Sequence, residues 1–215
     1  MLQLLLTSKW DLPMENMFPK QIANNYYIMR HGESKANEQG LIISNPKVGI
    51  NGYGLTKTGK EQARKAAITS QLDSSTFIYS SNFARAKETA AIVSEVLNTA
   101  FPKTETDLRE RWFGEFDFSS CDNYDKVWEY DVQFENHTAF GVESPAKVLM
   151  RMSSVIKRIE EKFCGISVLL ISHGDPSQIL LTAAAGYSTT MHRRLPHLQT
   201  AEIRPCFNSV IKENK

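Results

Sequence analysis

The stretch Tyr26-Tyr27-Ile28-Met29-Arg30-His31-Gly32-Glu33-Ser34 decides how this chain is read. A short apolar and aromatic run stops abruptly at an arginine, a histidine and a glycine. That order predicts a buried strand delivering two charged or titratable side chains to its C-terminal tip. A second apolar run, Ile166 to Ile171, ends in Ser172-His173-Gly174. It is nearly continuous, the pattern of a strand covered on both faces. Two such tips in one domain-sized chain predict a site with paired histidines.

Outward from these runs, strand and helix signals alternate. Thr58 to Gln71 carries Ala63, Ala66, Ala67 and Ile68 at helical spacing. Phe77 to Tyr79 reads as a strand, followed by a helix capped at Asn82 and running to Leu97. Thr104 to Leu108 reads as a weaker strand, and Asp122 to Phe134 as a helix. Ser144 is a good N-cap with Pro145 at the first helical position, for a helix to about Phe163. Pro176 to Ala185 reads as a helix stopped by Gly186. Thr200 to Ile203 and Phe207 to Ile211 are candidate edge strands. Residues 35 to 57 are rich in Asn, Gly and Pro and form a long loop after the first tip, the kind that is usually functional or disordered. The alternation predicts an α/β three-layer sandwich, a mostly parallel sheet with helices on both faces. Ligands of such sheets sit outside the carboxyl ends of the strands.

Composition narrows the function. The chain has 215 residues, 41% hydrophobic and 23% charged, which suits one globular domain. We expect an N-terminal extension over residues 1 to 24 and a single domain over 25 to 215. A net charge of +1 provides no global field for nucleic acid or an anionic membrane. Three scattered cysteines, Cys121, Cys164 and Cys206, form no disulfide framework and favour a reducing, cytoplasmic setting. No apolar run approaches the roughly 18 residues of a membrane span. The apolar start, Met1 to Thr7, is short and has no preceding basic residue, so no signal peptide is expected. Nothing in the sequence sets the oligomeric state.

Arg30, His31, Arg85, Glu110 and His173 together suit a phosphate. Arginine neutralises a dianion with planar, bidentate donors, and Gly32 and Gly174 allow close backbone approach. A neutral histidine can attack phosphorus and form a covalent phosphohistidine. A second histidine can stabilise the transferring oxygens. A carboxylic acid must then protonate the leaving oxygen. Glu110 also stands between Arg109 and Arg111, as in a solvated charge cluster.

These residues resemble the phosphoglycerate mutase-like branch of the histidine phosphatase superfamily. Arg30-His31-Gly32-Glu33-Ser34 with Asn37 looks like its opening motif, and Gly54-Leu55-Thr56-Lys57-Thr58-Gly59 like its Leu-Thr-x-x-Gly helix start. Ser80 to Ala90 resembles the segment with the second arginine, and Leu108 to Gly114 the segment with the acid. Gly141-Val142-Glu143-Ser144 and Ser172-His173-Gly174 complete the order over about residues 26 to 203. The resemblance implies His31 as nucleophile, Arg30, Arg85 and His173 as phosphoryl ligands, and Glu110 as proton donor. It also implies contacts from Asn37 and the Gly174 backbone to phosphate or substrate, with no metal and no organic cofactor. The implied activity is a metal-independent phosphomonoesterase acting on a small phosphorylated molecule.

One departure bears on the reaction. Mutases of this branch carry an adjacent arginine pair between the acid and the second histidine. Here residues 115 to 140 hold no arginine, and the pair Arg193-Arg194 follows His173. The insert is acidic instead: Glu115, Asp117, Asp122, Asp125, Glu129, Asp131 and Glu135. Hydrolysis is therefore favoured over phosphoglycerate mutase or sugar bisphosphate phosphatase activity. A non-catalytic phospholigand-binding protein of the same fold is a further alternative. Asp175 is a helix cap or a substrate contact, His137 a pocket candidate, and His192 and His197 surface or rim residues. Trp112, Phe113, Phe116 and Phe118 are packing residues, some of which wall the pocket.

Overall fold

A computed structural model describes residues 17–207. In chain order the elements are β1 (Asn25–Arg30), α1 (Lys35–Glu38), α2 (Pro46–Gly49) and α3 (Lys57–Thr69). Then come β2 (Phe77–Ser80), α4 (Ala84–Leu97), β3 (Lys103–Thr104), α5 (Tyr124–Asp131) and α6 (Pro145–Glu160). β4 (Ser167–Ser172), α7 (Gly174–Ala184) and β5 (Ile203–Pro205) complete the described chain. The sheet order is β3-β2-β4-β1-β5. β1, β2, β3 and β4 run parallel, and β5 joins the edge antiparallel to β1.

The apolar runs explain this order. β4 lies at the centre, and every residue from Val168 to Ser172 is buried. Ile28, Val168 and Leu170 face one layer, where they meet Leu149, Met152 and Ile156 of α6 and Ile179 of α7. Met29, Leu169 and Ile171 face the other, against Ala63 and Ala67 of α3 and Ala86, Ala90 and Val93 of α4. This is the period-two alternation of strand side chains. A third cluster of Ile42, Phe113, Val127 and Val142 fixes the segment beyond the sheet rim.

Register sets the tips level. Arg30 pairs with Ser172, and Ser80 with Ile171. The chain therefore leaves β1, β2 and β4 at one rim, bearing His31, Ser81 and His173.

Local signals place the helices with a few corrections. Ser144 Oγ accepts from the Lys147 amide, as an N-cap should, with Pro145 first in α6. Thr56 Oγ1 caps α3 by accepting from the Gly59 amide at 3.0 Å. Asn82 does not cap α4; Ser81 Oγ accepts from the Phe83 amide, and Asn82 accepts from Arg109. The expected strand over Thr104–Leu108 is shorter, because the Glu105 side chain accepts from Asp107 N and turns the chain into a 3-10 helix. α7 starts at Gly174 rather than Pro176. Amides of a first turn lack intrahelical partners, so the proline is tolerated there. The long loop holds α1 and α2, the first closed by a capping box between Ser34 and Asn37.

Of the expected extension, Met17, Phe18 and Ile22 pack on the first cluster. The Asn24 side chain donates to Glu160 and to the Phe163 carbonyl. Met1 to Thr7 lie outside the described residues, as do residues 208 to 211 of the second candidate edge strand. Among the described residues, no helix is long and apolar enough to cross a membrane.

Candidate active site

The rim gathers the five predicted residues. His31 Nδ1 lies 2.7 Å from the carbonyl of Gly32, so this nitrogen carries the hydrogen and donates. Its Nε2 lone pair then accepts from Arg85 Nε at 3.0 Å. The same Nε–H reaches His173 Nδ1 at 3.1 Å, and His173 Nε2 contacts Ser81 Oγ at 2.9 Å. Both imidazoles are thereby held as single neutral tautomers. The rings meet edge to face at 5.1 Å. Glu110 Oε2 lies 3.5 Å from Arg85 Nη2 and 3.7 Å from His173 Nδ1. Arg30 Nη1 donates to the Leu198 carbonyl. Arg30 Nε and Arg85 Nη1 are buried and have no hydrogen-bond partner within the protein. All but His173 line a cavity of about 290 Å³, with Asn37 and Gly174 also on its wall.

Burial and charge tune this group. Desolvation, then the cationic Arg85 and Arg30, hold His31 well below the usual histidine range. Desolvation and Arg85 do the same to His173. Glu110 moves the other way, up to about 7, because burial outweighs the attraction of Arg85 and Asp175 adds repulsion. The site thus pairs neutral imidazoles with a carboxyl group poised near neutrality. A phosphoryl oxygen would meet two guanidinium groups, and an unprotonated ring nitrogen stands beside them.

Glycine placement has a different cause from the one expected. A Cβ on Gly32 would collide with the Gly59 carbonyl, and one on Gly59 with the Glu33 carbonyl. Gly32 therefore serves the contact between the first tip and the start of α3. A Cβ on Gly174 would touch only the Arg30 guanidinium, at an ordinary 3.7 Å. Asn37 Oδ1 is taken by Ser34 N and Oγ.

Two arginines escaped the sequence reading. Arg151 of α6 pairs with Glu143 and donates to the carbonyls of Asp107, Arg109 and Glu110. It clamps the segment that presents Glu110. Arg111 is fully buried; it forms a two-bond pair with Asp131 of α5 and reaches Asp175 of α7 at 3.1 Å. Glu110 therefore belongs to no solvated cluster. Arg111 stands beside the acid in the sequence, but nothing local marks Arg151, 41 positions from Glu110. Asp131, Asp175 and His192 lie close enough to share a cation. Arg111 already bonds both carboxylates, so the positive centre of that cluster is its guanidinium.

The remaining candidates divide. Asp175 does line the cavity, and its carboxylate accepts from Trp128 Nε1 at 3.2 Å. Burial would raise its pKa, but Arg111, His192 and Arg193 outweigh burial and hold it below the usual range. His197 is on the wall, whereas His137 and His192 face Asp131 from behind; His192 is buried, not on the surface. Phe113 lines the cavity and Trp112, Phe116 and Phe118 do not. None of the insert's seven acids lines it either. Asp117 is turned to cap the amides of Ser44 and Asn45, and Asp131 is spent on Arg111. Arg193, distant in sequence from the insert, stacks its guanidinium 3.4 Å over Trp128 and lies 3.9 Å from Asp175. Arg193 of that pair is thus closer to the pocket than its place in the chain suggested.

A profile of the histidine phosphatase superfamily (branch 1) matches residues 26–205. The chain belongs to that superfamily. It is 29% identical over 154 residues to "Phosphoglycerate mutase-like protein 4" of Arabidopsis thaliana, covering 68% of this chain and 65% of that protein. The chain thus spans just under two thirds of that relative's length. It is 29% identical over 176 residues to "Probable phosphoglycerate mutase GpmB" of Photorhabdus laumondii, covering 79% and 78%. Among solved structures, a mycobacterial glucosyl-3-phosphoglycerate phosphatase superposes with a TM-score of 0.66 at 20% identity, covering 83% of this chain and 90% of that one. This last likeness shows the shared histidine phosphatase fold. Relatives named as phosphatases and as mutases both occur.

Proposed function

We propose that this histidine phosphatase is a phosphomonoesterase working through a covalent phosphohistidine at His31. The observation that supports it best is the His31 geometry: Nδ1 is tied to Gly32, leaving the Nε2 lone pair at the cavity beside Arg30 and Arg85. Arg30 and Arg85 hold the phosphoryl oxygens, joined by His173 once the phosphate's charge favours a proton on its Nδ1. Arrival of these oxygens draws the Arg85 N–H away from His31 Nε2. That nitrogen attacks phosphorus while the ester P–O bond breaks, and Glu110 gives its proton to the departing oxygen. Water then attacks the phosphohistidine, Glu110 takes the water's proton, and the N–P bond breaks to release phosphate. Asn37 and the Gly174 backbone contact the phosphate or the substrate edge. No metal or organic cofactor takes part.

The working unit is a single domain from residue 25, acting on a small phosphorylated molecule in the cytoplasm, with neither nucleic acid nor membrane as partner. Hydrolysis is preferred to mutase action because Arg30 and Arg85 are the only arginines on the cavity wall among the described residues, and no lysine joins them. The names of the GpmB relatives favour the second reading, transfer of phosphate to another substrate.

The test is labelling with a ³²P-phosphomonoester followed by acid and base treatment. An acid-labile, base-stable label that disappears in His31→Ala, with phosphate released to water, supports the proposal. Transfer to a second alcohol in place of water supports the mutase. Tight phosphate binding with neither label nor turnover in the folded protein supports a non-catalytic binder.

A further inference from the structure

The cavity extends past the phosphoryl-binding groups, and its outer wall has a distinct chemistry. Leu41 and Ile43 come from the loop after β1, and Phe113, Tyr124 and Trp128 from the segment between the acid and α6. Phe113 meets Tyr124 edge to face at 4.8 Å, and Tyr124 stacks on Trp128 at 5.2 Å with the rings nearly parallel. Arg193 covers Trp128 and fixes its orientation. These contacts make a rigid aromatic wall that loses little entropy when it meets a flat ligand.

The ionised group lining that wall is an anion, with Arg193 behind it, stacked on Trp128 and 3.9 Å from Asp175. Apart from the phosphoryl site, the wall's ionisable groups are Asp175, Glu110 and His197, among the described residues, together with the weakly acidic Cys121 and Tyr124. Burial and the neighbouring Arg193 and Arg30 lower His197 to about 4, so it carries no charge at neutral pH. Asp175 stays ionised through its bonds to Arg111 and Trp128. A carboxylate or second phosphate on the alcohol part of a substrate would stand against the Asp175 carboxylate, whose nearest cations, Arg111 and Arg193, do not line the cavity and are already engaged with it. Like charges so placed in a desolvated pocket are strongly disfavoured.

We propose that the substrate is a monoester with one phosphate, whose alcohol part is uncharged and presents an apolar or aromatic face, and that Asp175 and Trp128 are its specificity-determining residues. This rests on the hydrolytic reading above and narrows it. Glyceric acid phosphates and sugar bisphosphates fall outside this class.

The experiment compares three esters of primary alcohols, whose leaving groups are alike: 2-phenylethyl phosphate, glycerol 3-phosphate and 3-phosphoglycerate. The expected kcat/KM falls in that order, with about 100-fold or more between the first and last. Asp175→Asn leaves Arg111 paired to Asp131 and should raise the 3-phosphoglycerate to glycerol 3-phosphate ratio about tenfold. Trp128→Leu should raise KM for 2-phenylethyl phosphate more than for glycerol 3-phosphate, with a smaller change in kcat. Turnover of 3-phosphoglycerate at or above the rate for glycerol 3-phosphate, or a ratio unmoved in Asp175→Asn, overturns the inference while leaving the phosphohistidine mechanism standing. No turnover of any ester and no trapped phosphate by folded protein overturns both.

Discussion

Burial keeps Glu110 largely protonated up to about pH 7, which suits its proposed role as proton donor to an alkoxide. The kcat/KM for a poor leaving group should therefore fall as pH rises above about 7. Glu110→Gln should flatten that limb and lower the rate about 100-fold or more, and by much less for 4-nitrophenyl phosphate, whose leaving group needs no proton. The same shift has a stability sign. The folded pKa lies above the unfolded value of 4.5, so the folded state binds the extra proton and stability falls as pH rises between about 4.5 and 7. Glu110→Gln should thus melt about 2 °C or more higher than wild type at pH 8 and lose that advantage at pH 4. His31→Ala should lower turnover at least about a thousandfold with an unchanged fold by circular dichroism. His31, His173, Arg30, Arg85 and Glu110 were legible because each sits in a short contiguous motif. Arg111 and Arg151 were not. Their roles lie in bonds to Asp175, 64 positions away, and to the Asp107 carbonyl, 44 positions away, which no local pattern encodes.

The strands were legible from their apolar runs, since burial on both faces leaves little room for polar residues. Helix limits were less so, because capping is decided by single hydrogen bonds. Asn82 has the right side chain for a cap, yet Arg109 claims it and α4 begins after Phe83 with no side-chain cap. The walls of the pocket were the least legible part. The acids of the insert dominate its sequence, but the fold turns Tyr124 and Trp128 inward through Phe113, Val127 and the buried pair of Arg111 with Asp131. Arg111→Met should accordingly cost about 3–5 kcal/mol, because two buried carboxylates lose their partner. Urea unfolding at pH 7 measures this. Arg151→Met frees the strap that presents Glu110. Its kcat should fall about tenfold or more while inorganic phosphate binds with nearly the same affinity, a split that titration calorimetry and steady-state rates resolve.

Across the molecule, three strand tips level with one another place every proposed phosphoryl ligand at one rim. Inorganic phosphate at 100 times its Kd should raise Tm by about 5–10 °C, and this increment should vanish in Arg85→Ala even though that variant starts from a lower Tm. Differential scanning fluorimetry gives both values. The order of the sheet also has a consequence in time. β1 leaves the ribosome about 140 residues ahead of its parallel neighbour β4. At roughly 5–20 residues per second, His31 waits about seven to thirty seconds for His173. Throughout that interval Tyr26 to Met29 form an exposed, sticky ribbon, and no nascent fragment short of β4 can transfer a phosphate. The paired-histidine site is assembled only once β4 has been made.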